Sequence, residues 1–442
     1  MHTLPIEFNR RMQDMLGAEV GSFFDALQRD APVSIRYNRR KPSAEAASAA
    51  RVPWCPSGAY LPERPVFTLD PLWHGGAYYV QEASSMFVEQ AAAWQGQAHL
   101  RVLDLCAAPG GKSTHLADAV SPDALLVSNE SIRSRVAALA ENMAKWGSPN
   151  VAVTHNDPAD FARLPSFFDV MLVDAPCSGE GMFRKDREAA AEWSATHVRF
   201  CADRQRRIVA DAWDALKDGG TLLYSTCTYN RDENDANIRW IVQHLGAEVV
   251  HLPLPPAWNI AEDEYGYRFF PHRVQGEGFF ISILRKCGAR HAARSVRREA
   301  AKRLPPAAPP RPPLLHGEFV TTHENAFVRA YPAALAGDMA YLMQHLRVSQ
   351  AGVAVGEIKG GDLAPAAALA LSAALHRDAF PRQEVDLPTA LRYLHRDAIS
   401  LPDAPKGFCV VCYRSLPLGF VKNIGVRSNN LYPSAWRIRM DI

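Results

Sequence analysis

The stretch VLDLCAAPGGKS, Val102 to Ser113, reads as a strand, a turn of small residues and the start of a helix. Gly110 and Gly111 let the backbone approach a ligand closely, and a helix beginning there offers free N–H groups. The pattern is neither the dinucleotide fingerprint GxGxxG nor the phosphate loop GxxxxGK[ST]. Asp104, inside the strand, argues against a nearby pyrophosphate. It favours a cationic group such as the ammonium or sulfonium of S-adenosylmethionine. A tight turn with no ligand is the plainer alternative.

Outward from this stretch the same rhythm repeats. Apolar runs ALLVSNE, NVAVTHND, FDVMLVDAP and GTLLYSTCT alternate with helical patterns from Lys112, Ile132, Val198 and Asp232. Alternation at this spacing predicts βαβ units and a doubly wound parallel sheet over about 96–287, closed by antiparallel strands near Tyr267 and Phe279. In such sheets ligands lie beyond the carboxyl ends of the strands. Three consecutive strands end in polar acceptors: Asp104, then Glu130 about 20 residues after the glycines and suited to a ribose, then Asn156 and Asp157 at an adenine edge. Together they point to an adenosyl cofactor.

The fourth strand ends in VDAPCSGEGMFRKD, with Asp174 and Cys177, and the fifth in LLYSTCTYNRDEN, with Cys227. A lone strand-end Cys is usually a small buried hydrophobe. Two, each bracketed by polar or glycine residues at the ligand edge, read as chemistry. Carbon 5 of cytosine is too weak a nucleophile to attack a methyl sulfonium. A thiolate adding to carbon 6 makes it enamine-like, and an acidic group at N3 stabilises the developing charge. One thiol suffices for addition, and a second can assist release. The residues alone leave open which is which.

The set LCAAPGGK, NE, ND, DAPCSGEG and YSTCTY resembles the NOL1/NOP2/Sun family of RNA cytosine-5 methyltransferases, over about residues 4–287. SIRYNRRK, VPWCPSG, YYVQEASSM and LGFVKNIGVRSNNLYPSAWRI are similar to bacterial small-subunit rRNA members. The resemblance implies a Rossmann-like S-adenosylmethionine-dependent methyltransferase sheet between a small N-terminal α+β domain and a mostly β, PUA-like RNA-binding domain. It implies that Cys106, Ala107, Ala108, Pro109, Gly110, Gly111 and Lys112 line the cofactor site, with Glu130 at the ribose and Asp157 at the adenine. Asp174 would face both methyl donor and cytosine. Cys227 would be the nucleophile and Cys177 would aid product release. The substrate implied is 16S rRNA or the small ribosomal subunit. The same chemistry on tRNA or another rRNA, and a non-catalytic RNA-binding assembly factor, are the alternatives.

Composition bounds the rest. Of 442 residues, 48% are apolar and 22% charged, and 49 Lys+Arg against 47 Asp+Glu leave a net charge of +2. Wholesale disorder is excluded, and any nucleic-acid footprint must be local. No apolar run reaches the roughly 20 residues that span a bilayer, and MHTLPIEFNRRMQDML lacks an apolar signal core. Eight Cys are too sparse for a disulfide scaffold, so a reducing, cytoplasmic setting and a monomer are expected. The expected units are 1–95, 96–287, a basic Pro-rich linker over 288–317, and an accessory domain over 318–442. The basic run Ser34 to Lys41 reads as a solvated face or a phosphate track. Arg184, Lys185 and Arg187 are candidate phosphate holders; Tyr78, Tyr79, Gln81, Ser84 and Ser85 form either an RNA rim or packing. Cys409 and Cys412 lack a second ligand pair, so they read as strand core and no metal is expected.

Overall fold

A computed structural model describes residues 4–41, 50–91, 97–288 and 314–442, apart from the Arg187 side chain. Most of the expected linker, 289–313, lies outside the described residues. Five parallel strands carry the centre: β1 (Arg101–Asp104), β2 (Leu125–Asn129), β3 (Val151–Thr154), β4 (Phe168–Asp174) and β5 (Leu216–Thr226). Their order is β3-β2-β1-β4-β5. The strands are apolar almost throughout because helices cover both faces. The order reverses between β1 and β4, so the crevice at their carboxyl ends is the place for a ligand. Phe279–Lys286 runs antiparallel beside β5, and Gly266–Phe269 runs antiparallel beside that.

The N-terminal unit is α+β. Its antiparallel sheet runs Arg51–Val52, Cys55–Leu61, Val33–Tyr37, Tyr78–Val80. Helices Ile6–Leu16 and Val20–Leu27 bury Phe8, Met12 and Phe23 against Phe183, Trp193, Tyr229 and Phe270, which flank the two cysteine loops.

The basic run Ser34 to Lys41 is neither a solvated face nor a phosphate track. Arg36 is fully buried, donating to Thr114 Oγ1 (2.6 Å) and Gln81 Oε1 (2.8 Å), pairing with Asp118 (3.2 Å) and stacking over Trp146. Arg40 donates to the carbonyls of Ala117 (2.8 Å) and Val120 (3.3 Å) at the end of helix Gly111–Ala119, where a cation complements the macrodipole. Lys41 donates to the Gly75 carbonyl at 2.8 Å and Arg39 pairs with Glu89. Arg36 and Arg40 bolt the N-terminal sheet to the helix that follows the glycine turn.

Beyond residue 314 the chain is mostly β but not one free-standing unit. Two antiparallel-rich sheets run Phe319–Glu324, Phe327–Pro332, Val353–Lys359, Asp362–Pro365 and Arg382–Glu384, Gly407–Tyr413, Leu416–Asn423, Ser428–Asn430. Between the second and third strands of the first of these in the chain, Val348–Ala351 pairs antiparallel with β3 and covers the edge of the central sheet. Met339 and Leu342, on helix Ala336–His345, share a buried cluster with Phe167 and Phe168. Cys409 and Cys412 lie buried in their strand, as their apolar neighbours imply. No described helix is long and apolar enough to cross a membrane.

Candidate functional site

The glycine turn projects from the carboxyl end of β1. Gly110 takes φ +118°, a left-handed conformation that a side chain would strain, and a Cβ at Gly111 would come within 3.3 Å of the Tyr79 ring. Helix Arg133–Trp146 braces the turn from outside: Arg135 donates to the Ala108 carbonyl and Asn142 to that of Pro109 at 2.8 Å. The Asn129 side chain ties three strand ends together, donating to the carbonyls of Leu105 and Asn156 and accepting from Thr154 Oγ1.

Asp104 is wholly buried. One carboxyl oxygen accepts from Ser113 Oγ at 2.7 Å and the other has no protein partner. Burial pushes its pKa up to about 7. Burial likewise pushes the Cys106 thiol up. Glu130 is buried and accepts from the Ile132 N–H at 2.8 Å, with Arg135 at 3.5 Å. An unpartnered buried oxygen, a cradle that a Cβ would narrow and a buried carboxylate one strand over fit the ammonium, the close-lying chain and the ribose of S-adenosylmethionine. Asp157 is exposed and caps the turn Pro158–Arg163, accepting from Ala159 N–H at 3.1 Å. Asn156 is not free for an adenine edge. Its amide is exchanged with the Arg347 backbone, donating at 3.2 Å and accepting at 2.9 Å.

Lys112, Asp174, Cys177 and Cys227 converge. Lys112 Nζ lies 2.8 Å from Asp174, which also accepts from Ser225 Oγ at 2.8 Å. Burial opposes the charge on Lys112, but Asp174, Cys227 and Asp104 outweigh it and raise its pKa. Phe279 lies under the ammonium. The Cys177 and Cys227 sulfurs are 2.9 Å apart, and the Cys227 N–H points at the Cys177 sulfur at 3.3 Å. The Cys227 contact and burial raise the Cys177 pKa.

Two buried glutamates behind this pair escape sequence reasoning. Glu180 accepts from Thr228 Oγ1 (2.7 Å), the N–H groups of Tyr229 (3.0 Å) and Asn230 (2.9 Å), and Trp193 Nε1 (3.0 Å). Glu233 accepts from Ser178 N–H (3.0 Å), Gln205 (2.6 Å) and Asn230 Nδ2 (2.7 Å). Burial raises the pKa of both. The acidic turn 232–235 reads in sequence as a helix-dipole complement, whereas Glu233 turns inward.

Other candidates fall away. Arg184 is buried and donates to Glu277 at 3.0 Å, so it is not free for a phosphate. Tyr78 donates to Asp70 (2.6 Å) and Ser84 to the Glu277 carbonyl (3.0 Å), so both are packing. Among the described residues, Cys55, Glu89 and His115 form a buried group of metal-ligand types. Glu89 accepts from Cys55 (3.1 Å) and from His115 (3.2 Å), and burial pushes His115 down to about 4 and Cys55 up to about 11. Glu89 thus serves both as hydrogen-bond acceptor, while His115 Nδ1 is buried without a partner among the described residues.

Fold and strand-end loop define a methyltransferase that uses S-adenosylmethionine. Residues 91–285 match the model of 16S rRNA methyltransferase RsmB/F, residues 4–83 the N-terminal domain of 16S rRNA methyltransferase RsmF, and residues 380–438 the RsmF PUA domain. Ribosomal RNA small subunit methyltransferase F of Escherichia coli O157:H7 is 33% identical, covering 98% of this chain and 96% of that protein. That of Serratia proteamaculans is 34% identical, covering 86% and 83%. The chain belongs to the RsmB/F family of 16S rRNA methyltransferases. Among solved structures, a methyltransferase homolog protein from Pyrococcus horikoshii superposes with TM-score 0.55 at 28% identity, covering 63% of this chain and 94% of that one. NSun6 from the same organism shares the fold, with TM-score 0.56 at 20% identity, covering 65% and 100%.

Proposed function

We propose that the protein methylates carbon 5 of a cytosine in 16S rRNA through a transient bond between Cys227 and carbon 6 of the base. The observation that carries this reading is the pair of sulfurs 2.9 Å apart beside the Lys112–Asp174 ion pair. Bound S-adenosylmethionine would supply the electrophilic methyl group. Cys106 to Lys112, Glu130 and Asp157 would hold it, the last as an exposed cap at the rim.

The target base must leave its stack to reach a thiol at this depth. Cys227 adds to carbon 6, with the Lys112 ammonium available as counter-charge. Asp174, held by Lys112 and Ser225, would meet the ring edge and, as the carboxylic acid, donate to N3 while charge builds there. After methylation a base removes the carbon-5 proton and the carbon–sulfur bond breaks. Cys177, its pKa raised, lies against Cys227, which suits it to meet the departing thiolate as a hydrogen-bond donor and so release product. The PUA domain would contribute shape and phosphate recognition. An rRNA substrate also makes a cytoplasmic location the natural one.

Radiolabelled methyl transfer to small subunits and to free 16S rRNA tests the reading, with bisulfite sequencing to locate the product. Cys227→Ala should be inactive. An active Cys227→Ala, or a product at a position other than cytosine carbon 5, contradicts it.

A further inference from the structure

The two thiols sit on loops from different strands, and what holds the loops together is polar rather than apolar. Glu180, in the loop that begins at Cys177, takes most of its donors from the other loop, namely the Thr228 hydroxyl and the Tyr229 and Asn230 N–H groups immediately after Cys227, with Trp193 Nε1 besides. Glu233, downstream of Cys227, reaches back to the Ser178 N–H immediately after Cys177. The Asn230 side chain donates to both carboxylates, at 3.1 Å to Glu180 and 2.7 Å to Glu233. A further crossing bond runs from the Gly181 N–H to the Cys227 carbonyl at 2.9 Å.

We propose that Glu180 and Glu233, bridged by Asn230, are positioning residues that set the separation of the Cys177 and Cys227 sulfurs. Each carboxylate binds a residue next to the cysteine on the opposite loop, so the latch is reciprocal. Charge-assisted hydrogen bonds to several donors are short and directional, which fixes distance better than packing does. Two carboxylates buried side by side are costly to desolvate, and apolar replacements of similar size would stabilise the fold as well. Their directional hold on both thiol loops is what an apolar pair would not reproduce. The proposal rests on the thiol chemistry above, but the latch can be measured without any turnover.

The measurement uses the full-length chain treated with diamide and no RNA. The azo reagent accepts two hydrogens as two S–H bonds break and one S–S bond forms, so the rate of the Cys177–Cys227 cross-link, read by peptide mass spectrometry, is a ruler for the sulfur gap. Glu180→Gln and Glu233→Gln each turn an amide N–H₂ toward existing donors. Each is expected to slow cross-linking markedly and to lower kcat for rRNA methylation by about 10²-fold, with KM for RNA unchanged. Thr228→Val removes a single donor and is expected to show a smaller loss of both, with native circular dichroism. Should the glutamine variants not fold, Thr228→Val decides alone. Folded variants that cross-link and turn over at the wild-type rate overturn the proposal. Slowed cross-linking in the variants, alongside a wild type that never bonds to cytosine, would instead sink the catalytic reading while leaving the latch standing.

Discussion

Cys177 and Cys227 touch, yet they are not equivalent. Both thiols are half-buried, and contact with Cys227 together with burial raises the Cys177 pKa, which suits Cys177 to the release step rather than to addition. Removing it should therefore spare addition and impair release. In Cys177→Ala, a protein–RNA adduct is expected to accumulate during methylation, visible as a slow band on denaturing gels, whereas Cys227→Ala should form none. Asp104 makes a second residue-level prediction. Its pKa is raised from 3.8 to about 7 by burial, so the folded protein binds its proton more tightly than the unfolded chain. The stability it contributes is present below about pH 4 and is lost as pH rises toward 7. Cofactor affinity should move the opposite way, because a cationic ligand group favours the carboxylate. Calorimetric titration of S-adenosylmethionine is expected to show affinity rising between pH 6 and 8, and Asp104→Asn should abolish that rise. At this scale the sequence marked Asp104, Asp174 and the two cysteines as polar strand ends, and the fold brings Asp174 and both thiols together beside Lys112. The sequence was silent where a role is set by partners distant in the chain. Glu180 reads as a loop glutamate in SGEG, and only its donors after Cys227 reveal its part.

At the scale of elements, the parallel strands were legible because a strand buried on both faces must be apolar, and their polar ends mark the ligand edge. The basic run Ser34 to Lys41 was misread for an opposite reason. Charge density suggests solvent, and nothing in the local sequence shows that Asp118, Thr114 and two helix-terminal carbonyls await it. Arg36 is the centre of this joint. Replacing it with Ala takes the paired cation from buried Asp118 and leaves that carboxylate the Trp146 Nε1 hydrogen bond at 3.1 Å and the more distant Arg39 and Arg40, which is expected to cost up to about 3–5 kcal/mol in urea unfolding. Helix Gly111–Ala119 follows the cofactor loop directly, so the same variant should also weaken S-adenosylmethionine binding. Arg36→Lys should recover only part of either loss, since an ammonium cannot serve Thr114, Gln81 and Asp118 together.

At the scale of the whole molecule, the C-terminal region finishes the catalytic sheet as well as adding to it. Sequence reading assigned 318–442 to one accessory unit because short apolar runs do not announce which sheet they join. Val348–Ala351 pairs with β3, and Asn156 pins that strand through Arg347. A chain ended after residue 288 would expose the β3 edge and the apolar surface around Phe167, and it is expected to melt lower and aggregate more than the full protein in light-scattering thermal scans. Asn156→Ala in the full chain should lower the melting temperature modestly, by about 2–4 °C for a loss near 1 kcal/mol. The account as a whole turns on whether sulfur bonds to the base. Incubating the protein with S-adenosylmethionine and a 16S rRNA fragment carrying 5-fluorocytidine blocks the final proton loss. Mass spectrometry should then find the methylated nucleotide attached to the peptide bearing Cys227. Attachment at Cys177, or unattached RNA from a protein that methylates ordinary rRNA normally, would contradict it.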